Sequence, residues 1–385
     1  MNLLKKMILI AVNGMLKMIY SISSLLFPYK PYKVTFASYR SEQLKGNLLY
    51  LYNELQSSRD HFTYTKLFKK YDSSFLGKLD YVFHLVRACY HLATSAYFVV
   101  DDYYYPIYVV NPKKKTRVIQ LWHAAGAFKK FGHSTKGKSF GPSLEYLKYV
   151  NIHSNYSNVI VSSKEVVPYF AEAFNMSTEK ILPLGLPRTD YFYDKDKTTT
   201  TVEKFSLLYP ELTGKKLVLY APTFRGKSHY QAPFKIPFDL KEMKKQLAPD
   251  IALITHFHPY MKGANLDKEG CSDFVYDLSD DFDIQELMYL SDILLTDYSS
   301  VIFEFSLLEK PIAFFPFDLE EYIKERDFYY DYQCFIPGPL FRDTVPLIDW
   351  LKTETFDLES VYAFRDKFFD YADGNASKRI VECLF

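Results

Sequence analysis

The sequence predicts an α/β protein with two doubly wound parallel-sheet domains. From residue 33 onward, short runs of β-branched and aromatic residues alternate with longer helical patterns, as in sheets covered by helices. Polar segments at 195–201 and 212–216 interrupt this alternation and divide it into two halves. With 385 residues, of which 48% are hydrophobic, the chain is long enough to fill two cores. We therefore expect one domain over 31–205 and a second over 206–385, with a cleft between them.

Each half contains five expected strands joined by helices. In the first half, strands are expected at 33–37, 97–100, 118–121, 159–162 and 181–184, with helices near 47–55, 74–94 and 165–174. In the second half, strands are expected at 217–220, 251–255, 274–276, 293–295 and 312–315, with helices near 240–247, 284–290 and 300–308. Ligands of open α/β sheets bind beyond the carboxyl ends of the strands. Polar residues that directly follow a strand are therefore the candidate site residues.

The overall composition excludes several classes of protein. The net charge is +1, from 47 basic and 46 acidic residues, so no basic excess is available to neutralise nucleic-acid phosphates. The four cysteines stand far apart and form no CxxC pair, which argues against a disulfide framework and a structural zinc site. A reducing compartment fits this cysteine usage.

The N-terminal segment is apolar and basic, and the first acidic residue is Glu42. On a helical wheel, Lys6, Asn13, Lys17 and Ser24 fall within about 40° of one another, opposite a broad apolar surface. A signal peptide would need a small-residue cleavage site, and a spanning helix would need an apolar run that Lys17 interrupts. We therefore expect residues 1–30 to form an amphipathic helix on a membrane surface, with packing on the protein itself as the alternative.

The first candidate for chemistry is His123, which directly follows the expected strand 118–121. Ala124, Ala125 and Gly126 come next, leaving open space before the imidazole and backbone that can approach a ligand closely. An imidazole titrates near neutral pH and can take a proton from an alcohol. The alternative is a core histidine bonded to a backbone carbonyl. Lys129 could meet a phosphate or could lie on a solvated helix surface.

Two further candidates follow strands of the second half. Thr223 and Arg225 come after the strand 217–220, and arginine offers a planar fork of donors suited to phosphate oxygens. His256 and His258 follow the strand 251–255 and could be interpreted as a metal-ligand pair. No third ligand with usual spacing accompanies them, so we expect no metal site and interpret His258 as a donor to a phosphate.

The fourth candidate is the turn after the strand 293–295. Asp297, Ser299 and Ser300 lie in this turn, and a helix is expected to begin at its end, where free backbone N–H groups favour an anion. Glu304, one turn further, could accept hydrogen bonds from sugar hydroxyls. The plain alternative is a serine cap with a surface glutamate.

Six strings in this order resemble the CDP-glycerol glycerophosphotransferase family of teichoic acid and capsule synthesis. They extend from about residue 118 to residue 332, and they are LWHAAGAFKKFG, LGLPRTDYF, YAPTFR, HFHPY, DIQELMYLSDILLTDYSSVIFEFSLLEKPIAFF and RDFYYDY. The resemblance implies a two-domain fold of the GT-B type and peripheral attachment to the cytoplasmic side of the cell membrane. It implies transfer of an alditol phosphate from a CDP-linked donor to a polyprenyl-diphosphate-linked saccharide, with release of CMP.

The resemblance also implies roles for residues. His123 matches the family's general base, and His258 matches its diphosphate contact. Matches to the donor-binding motifs comprise Thr223, Arg225, Asp297, Ser299, Ser300 and Glu304. CDP-glycerol is the expected donor, with no cofactor and no obligatory metal; the alternatives are CDP-ribitol, or a nucleotide sugar in a GT-B glycosyltransferase.

The sequence departs from the family pattern in two motifs. Ala–Ala–Gly follows His123 where many polymerising members carry Gly–Thr–Pro, and Asp327 stands where glycine is expected. At 385 residues the chain is short, and we expect it to be without the extra N-terminal domain of the large polymerases. The Ala–Ala–Gly string and the short chain are more similar to the primase-type or short-chain members, which add one or a few units, whereas Asp327 bears only on the local turn.

Overall fold

The computed structural model of this chain describes residues 2–70, 74–223, 226–227, 230–231, 236–257 and 270–385. The chain divides into two compact units. Unit 1 comprises the chain up to Asp190 together with Asn375–Phe385, and unit 2 comprises Tyr191–Gly374. Each unit is built on its own parallel sheet, so the α/β class with parallel sheets is confirmed.

Unit 1 contains a six-stranded parallel sheet with the order β2-β1-β3-β4-β5-β6. Its strands are β1 Lys30–Ser38, β2 Thr63–Phe68, β3 Ser95–Val100, β4 Arg117–Gln120, β5 Asn158–Ile160 and β6 Ile181–Leu182. The five expected strands are all present. The strand β2 was not expected from the sequence: it lies at the edge of the sheet, and only one of its six residues is buried, so it carries no buried-strand pattern.

Helices cover both faces of this sheet. They are α1 Leu3–Leu26, α2 Gly46–Ser58, α3 Phe75–Thr94, α4 Tyr105–Val109, α5 Leu144–Leu147, α6 Val167–Phe174 and, from the end of the chain, α15 Ala376–Leu384. Val34 and Phe36 of β1 pack with buried residues of α2 and α15. Lys33 points to the opposite face, since side chains alternate along a strand, and its Nζ donates to Thr94 Oγ1 at the end of α3 (2.7 Å).

Unit 2 contains a five-stranded parallel sheet with the order β11-β10-β7-β12-β13. Its strands are β7 Lys216–Tyr220, β10 Ile251–Thr255, β11 Val275–Asp277, β12 Ile293–Thr296 and β13 Ile312–Phe314, and a short antiparallel pair is formed by β8 Gly226–Lys227 and β9 Tyr230–Gln231. The five expected strands of the second half all form this sheet. One side of it packs on Met243 and Leu247 and on Leu347, Ile348 and Leu351.

The helices of unit 2 are more numerous than the sequence analysis expected. They are α7 Lys195–Leu208, α8 Leu240–Leu247, α9 Ile284–Leu290, α10 Val301–Ser306, α11 Leu319–Glu325, α12 Tyr332–Phe335, α13 Thr344–Leu351 and α14 Glu359–Phe368. The expectation that 195–201 is a polar interruption is wrong, because α7 begins there. Asp194 caps this helix by accepting from the Lys197 N–H (3.1 Å), and Thr198, Thr201 and Phe205 are buried at helical spacing.

Candidate active site

The strand order of unit 1 creates a topological switch point between β1 and β3. The chain passes from β1 to β2 on one side and then crosses back to β3 on the other, and ligands of such sheets bind where the order reverses. Arg40 follows β1, Asp102 follows β3, and His123 follows the next strand, β4. These three residues come from separate parts of the sequence and meet at this edge of the sheet.

The three side chains form a chain of charged contacts. Arg40 Nη1 donates to Asp102 Oδ2 at 2.8 Å, and His123 Nδ1 lies 3.1 Å from the same oxygen. The contact of His123 has the distance of an ion pair without the alignment of a hydrogen bond. The side chain of Asp102 is 5% exposed, whereas that of His123 is 30% exposed and that of Arg40 is 39% exposed. A buried carboxylate therefore contacts a histidine that solvent, and hence a substrate, can reach.

The electrostatics of this group favour a neutral histidine beside an ionised carboxylate. Burial raises the pKa of Asp102, but His123 and Arg40 together outweigh burial and hold that pKa below its ordinary value. Burial lowers the pKa of His123, Asp102 raises it, and Arg40 and Arg188 lower it, so that this pKa lies below its ordinary value. A neutral imidazole at pH 7 can accept a proton, as a general base must.

The backbone before His123 is held in an uncommon conformation. Trp122 has φ of 52°, in the left-handed region that side chains other than glycine rarely adopt. Its N–H donates to Gln120 Oε1 (2.8 Å), and its carbonyl accepts from Asn47 Nδ2 (2.9 Å). Its indole is buried and stacks on Phe131 with ring centroids 5.1 Å apart. Strained backbone of this kind persists where the surroundings enforce it.

Of the three small residues after His123, Ala124 is half-buried, whereas Ala125 and Gly126 are buried. Gly126 has φ of 70°, and its N–H donates to Ser162 Oγ (3.4 Å). Lys129 is half-buried in the same loop of unit 1. Its contact with a phosphate stays a prediction.

Unit 2 has its own switch point, between β7 and β12. The Thr223 N–H, just beyond β7, donates to Asp297 Oδ1 beyond β12 (2.8 Å), and the Tyr298 N–H donates to the same oxygen (2.5 Å). Asp297 is 1% exposed. The structure therefore brings Thr223 and Asp297 together, and Asp297 uses its side chain to hold the two backbone segments that border the switch point.

Ser299 and Ser300 lie at the start of a helix, α10, as the sequence predicted. Ser300 is the N-cap residue of α10, but its side chain makes no capping hydrogen bond, and Ser299 Oγ accepts only a long bond from the Val301 N–H (3.5 Å). The Glu304 side chain is 1% exposed, so the alternative of a plain surface glutamate is wrong. The roles of these three residues in binding a ligand stay predictions.

Arg225 and His258 lie outside the described residues, so their expected phosphate contacts are also still predictions. Among the residues that the structure describes, no group of three His, Cys, Asp or Glu side chains is suited to a metal ion.

Sequence reasoning missed Asp102 and Arg40. Both were detectable by the criterion that led to His123, because Asp102 follows the buried strand 97–100 and Arg40 follows the buried strand 33–37. The sequence does not show that these two strands are neighbours in the sheet, and this adjacency brings the three residues together.

With this fold and site, the chain belongs to the CDP-glycerol:poly(glycerophosphate) glycerophosphotransferase family, which it matches over residues 18–385. It is 46% identical to the teichoic acid ribitol-phosphate primase of Bacillus spizizenii, over 97% of this chain and 96% of the relative. It is 32% identical to the teichoic acid glycerol-phosphate primase of Bacillus subtilis, over 78% of this chain and 76% of the relative.

A solved structure is similar over almost the whole chain. It is a histidine-to-asparagine variant of the wall teichoic acid polymerase TagF soaked with CDPG, with a TM-score of 0.79 and 26% identity over 98% of this chain and 94% of TagF. The family predicted from the sequence is confirmed.

Proposed function

We propose that this protein transfers an alditol phosphate from a CDP-linked donor to a saccharide acceptor carried on a membrane lipid. The observation that carries the proposal is the contact of His123 with the buried Asp102 at the switch point of unit 1 (3.1 Å) in a member of the glycerophosphotransferase family. The two parallel α/β units and the similarity to TagF support a GT-B-type architecture.

His123 is the proposed general base. Asp102 beside Nδ1 favours the tautomer with its proton on that atom, which leaves Nε2 to accept a proton. The acceptor hydroxyl gives its proton to Nε2 while its oxygen forms a bond to the phosphorus that carries the alditol. The bond between this phosphorus and the bridging oxygen of the diphosphate breaks, and CMP leaves with that oxygen. Asp102 stabilises the imidazolium that forms.

Unit 2 is the proposed donor-binding unit. The turn with Thr223 and Asp297 lies at its switch point, where nucleotide ligands of doubly wound sheets bind. Ser299 and Ser300, at the start of α10, are proposed diphosphate contacts, together with Arg225 and His258. Preorganised donors of this kind supply most of the catalysis in phosphoryl transfer.

The alditol is proposed to be ribitol. CDP-glycerol is the donor expected from the motifs, but the chain is 46% identical to a ribitol-phosphate primase and 32% identical to a glycerol-phosphate primase. The 46% identity to a primase also favours addition of one or a few units over polymerisation.

The test is a donor comparison. The enzyme is incubated with a lipid-linked saccharide and either CDP-ribitol, CDP-glycerol or a UDP-sugar, and the released nucleotide and the product mass are measured. We expect CMP and a product heavier by one ribitol phosphate, with His123→Ala as the inactive control. Release of UDP with glycoside formation would refute the proposal in favour of a glycosyltransferase, and efficient use of CDP-glycerol alone would correct the alditol.

Helix α1 is the proposed membrane contact. Part of its polar stripe contacts the protein: Asn13 Nδ2 donates to the Tyr149 carbonyl (2.9 Å), and Lys113 Nζ donates to the Ser24 carbonyl (3.1 Å). Many apolar side chains point outward instead, among them Leu3, Met7, Met18, Ile22 and Leu25. By length and composition alone α1 could also cross a membrane, but a helix tied to its own protein by polar contacts fits surface attachment better.

Charged substitutions on α1 test this contact. Met18 is 57% and Leu25 is 85% exposed, so Met18→Glu with Leu25→Glu leaves the packing intact while opposing insertion into lipid. We expect the variant to lose binding to anionic vesicles and to keep activity on a water-soluble acceptor analogue. The matched control is Leu207→Glu on α7, since Leu207 is 81% exposed and lies in unit 2. Unchanged vesicle binding in the α1 variant would refute the assignment.

A further inference from the structure

The residue before the proposed base carries backbone strain that needs an explanation. Trp122 has φ of 52°, a conformation that is unfavourable for residues other than glycine and persists only where the surrounding structure enforces it. The conformation directs the chain out of β4, so that His123 lies 3.1 Å from Asp102. Whatever maintains the backbone of Trp122 therefore also maintains the position of the base.

Two buried side-chain amides bind both polar groups of this backbone. Gln120 Oε1 accepts from the Trp122 N–H (2.8 Å), and Asn47 Nδ2 donates to the Trp122 carbonyl (2.9 Å). Gln120 is 0% and Asn47 is 3% exposed. Burying an amide side chain costs free energy unless the amide makes hydrogen bonds. The hydrogen bonds to the Trp122 backbone therefore help to stabilise both buried amides.

The same two amides reach the other parts of the site. Gln120 Nε2 donates to the Asp102 carbonyl (3.0 Å), so a single side chain joins the segment of the base to the segment of its carboxylate. Asn47 Oδ1 accepts from the Arg188 N–H (3.0 Å), in the LGLPRTDYF motif. That motif is fixed in turn by Asp190, which accepts from the Ala376 and Ser377 N–H groups at the start of α15.

We propose that Asn47 and Gln120 form an amide clamp that positions His123 against Asp102 for the proton transfer. The inference rests on the proposed function, because it assigns the clamp to the base of that reaction. Both are positioning residues, since they act through Trp122 and Asp102 and contact no reacting atom. The clamp also gives the LGLPRTDYF motif a role, since the backbone N–H of Arg188 in this motif donates to Asn47, one of the two amides of the clamp.

The perturbation is removal of each amide with little change of shape. Gln120→Met and Asn47→Leu keep the volume and remove the hydrogen bonds. A misplacement of about 1 Å can cost 10²-fold in rate, so we expect kcat to fall by about 10- to 100-fold. The affinity for the CDP-alditol should stay unchanged, because unit 2 is not altered.

The decisive measurement is the pKa of His123, followed by NMR titration of its labelled imidazole. The charged groups near this imidazole are Asp102, which raises its pKa, and Arg40 and Arg188, which lower it. Burial of the imidazole, which has the largest effect, also lowers this pKa. A shift of about 1 Å that lengthens the contact with Asp102 while the imidazole stays buried therefore lowers the pKa of His123, and the acidic limb of the pH–rate profile should move to lower pH in both variants.

A matched control separates positioning from stability. Thr35 is 0% exposed, and its Oγ1 lies 2.8 Å from Ser95 Oγ at the start of β3. Thr35→Val removes a buried hydrogen bond of unit 1 outside the clamp, so it should lower the free energy of unfolding without moving the His123 titration. If Gln120→Met does not fold, Gln120→Asn, with an amide one methylene shorter, must shift the titration in the same direction.

The outcomes distinguish the clamp from the proposed function. Unmoved His123 titration in the folded variants, with kcat within a factor of about three of the original, would overturn the clamp. A parent protein that transfers no alditol phosphate would overturn the proposed function, while the titration would still report on the clamp.

Discussion

Replacing Asp102 by asparagine removes one charge from the site and leaves the shape of the side chain unchanged. The carboxylate lies 3.1 Å from His123 Nδ1, and at an effective dielectric constant of about 20 its attraction for an imidazolium is about 5 kcal/mol. Since about 1.4 kcal/mol changes a rate tenfold, we expect Asp102→Asn to lower kcat by about 10³- to 10⁴-fold. This is within the range expected for a disabled general base.

The substitution also has a predicted pH signature. Asp102 raises the pKa of His123, so its loss should lower that pKa and move the acidic limb of kcat/KM to lower pH. The assay is the initial rate of CMP release at saturating donor and varied acceptor concentration from pH 5 to 9, with calorimetry of CDP-alditol binding in parallel. Binding should be unchanged, because the substitution lies in unit 1.

Asp101 offers a matched control for the loss of a charge. It precedes Asp102 in the same loop, burial raises its pKa to about 6, and it makes no ion pair with His123. Asp101→Asn should therefore keep most of the activity. If Asp102→Asn retained kcat within a factor of about three, or if both variants lost activity equally, the pairing of base and carboxylate would be refuted.

Two further substitutions test the framework of each unit. Asp297→Ala leaves two backbone N–H groups without their acceptor, so unit 2 should lose about 2–4 kcal/mol in urea denaturation and bind the CDP-alditol more weakly; unchanged stability and affinity would contradict this. Gly132 has φ of 56°, and an added Cβ would lie 2.2 Å from the Ala173 carbonyl oxygen. Gly132→Ala should therefore cost more than about 1 kcal/mol, and a neutral result would show that this loop adapts.

The strands were predictable because nearly all of them are buried on both faces. Ile251–Thr255 is buried at every position and reads as one short apolar run, which is the pattern of a parallel strand between helices. Thr63–Phe68 at the edge of the other sheet lacks this pattern, because only Leu67 is buried. The sequence pattern therefore indicates which residues are buried, and it indicates a strand only where the residues of that strand are buried.

The helices were less predictable where polar residues form them. The threonine run in Lys195–Leu208 has low helix propensity, but Asp194 caps it and tertiary packing buries one side of it. Ala376–Leu384 shows another limit. Its apolar residues join the core of unit 1, although nearly 200 residues separate it from the rest of that unit. No local pattern contains that information.

The position of the proposed base was predictable from the sequence, and its neighbours in the site were not. A histidine after a buried strand followed by small residues is a local signal, and it identified His123. Asp102 and Arg40 become partners of His123 only through the sheet order β1-β3-β4, which the crossover connections determine. The left-handed backbone conformation of Trp122 could not be predicted either, since the side-chain amides that bind this backbone come from α2 and β4.

The two switch points use an aspartate in the same topological position for different purposes. Asp102 follows the strand across the switch point from β1, and Asp297 follows the strand across the switch point from β7. Asp102 contacts charged side chains, so its charge matters, whereas one carboxylate oxygen of Asp297 accepts from two backbone N–H groups. Asparagine keeps an acceptor oxygen and removes the charge. The same change should therefore disable the enzyme at Asp102, whereas Asp297→Asn should keep both backbone hydrogen bonds and cost unit 2 less stability than Asp297→Ala. Equal losses in urea denaturation for Asp297→Asn and Asp297→Ala would contradict this role of the Asp297 oxygen.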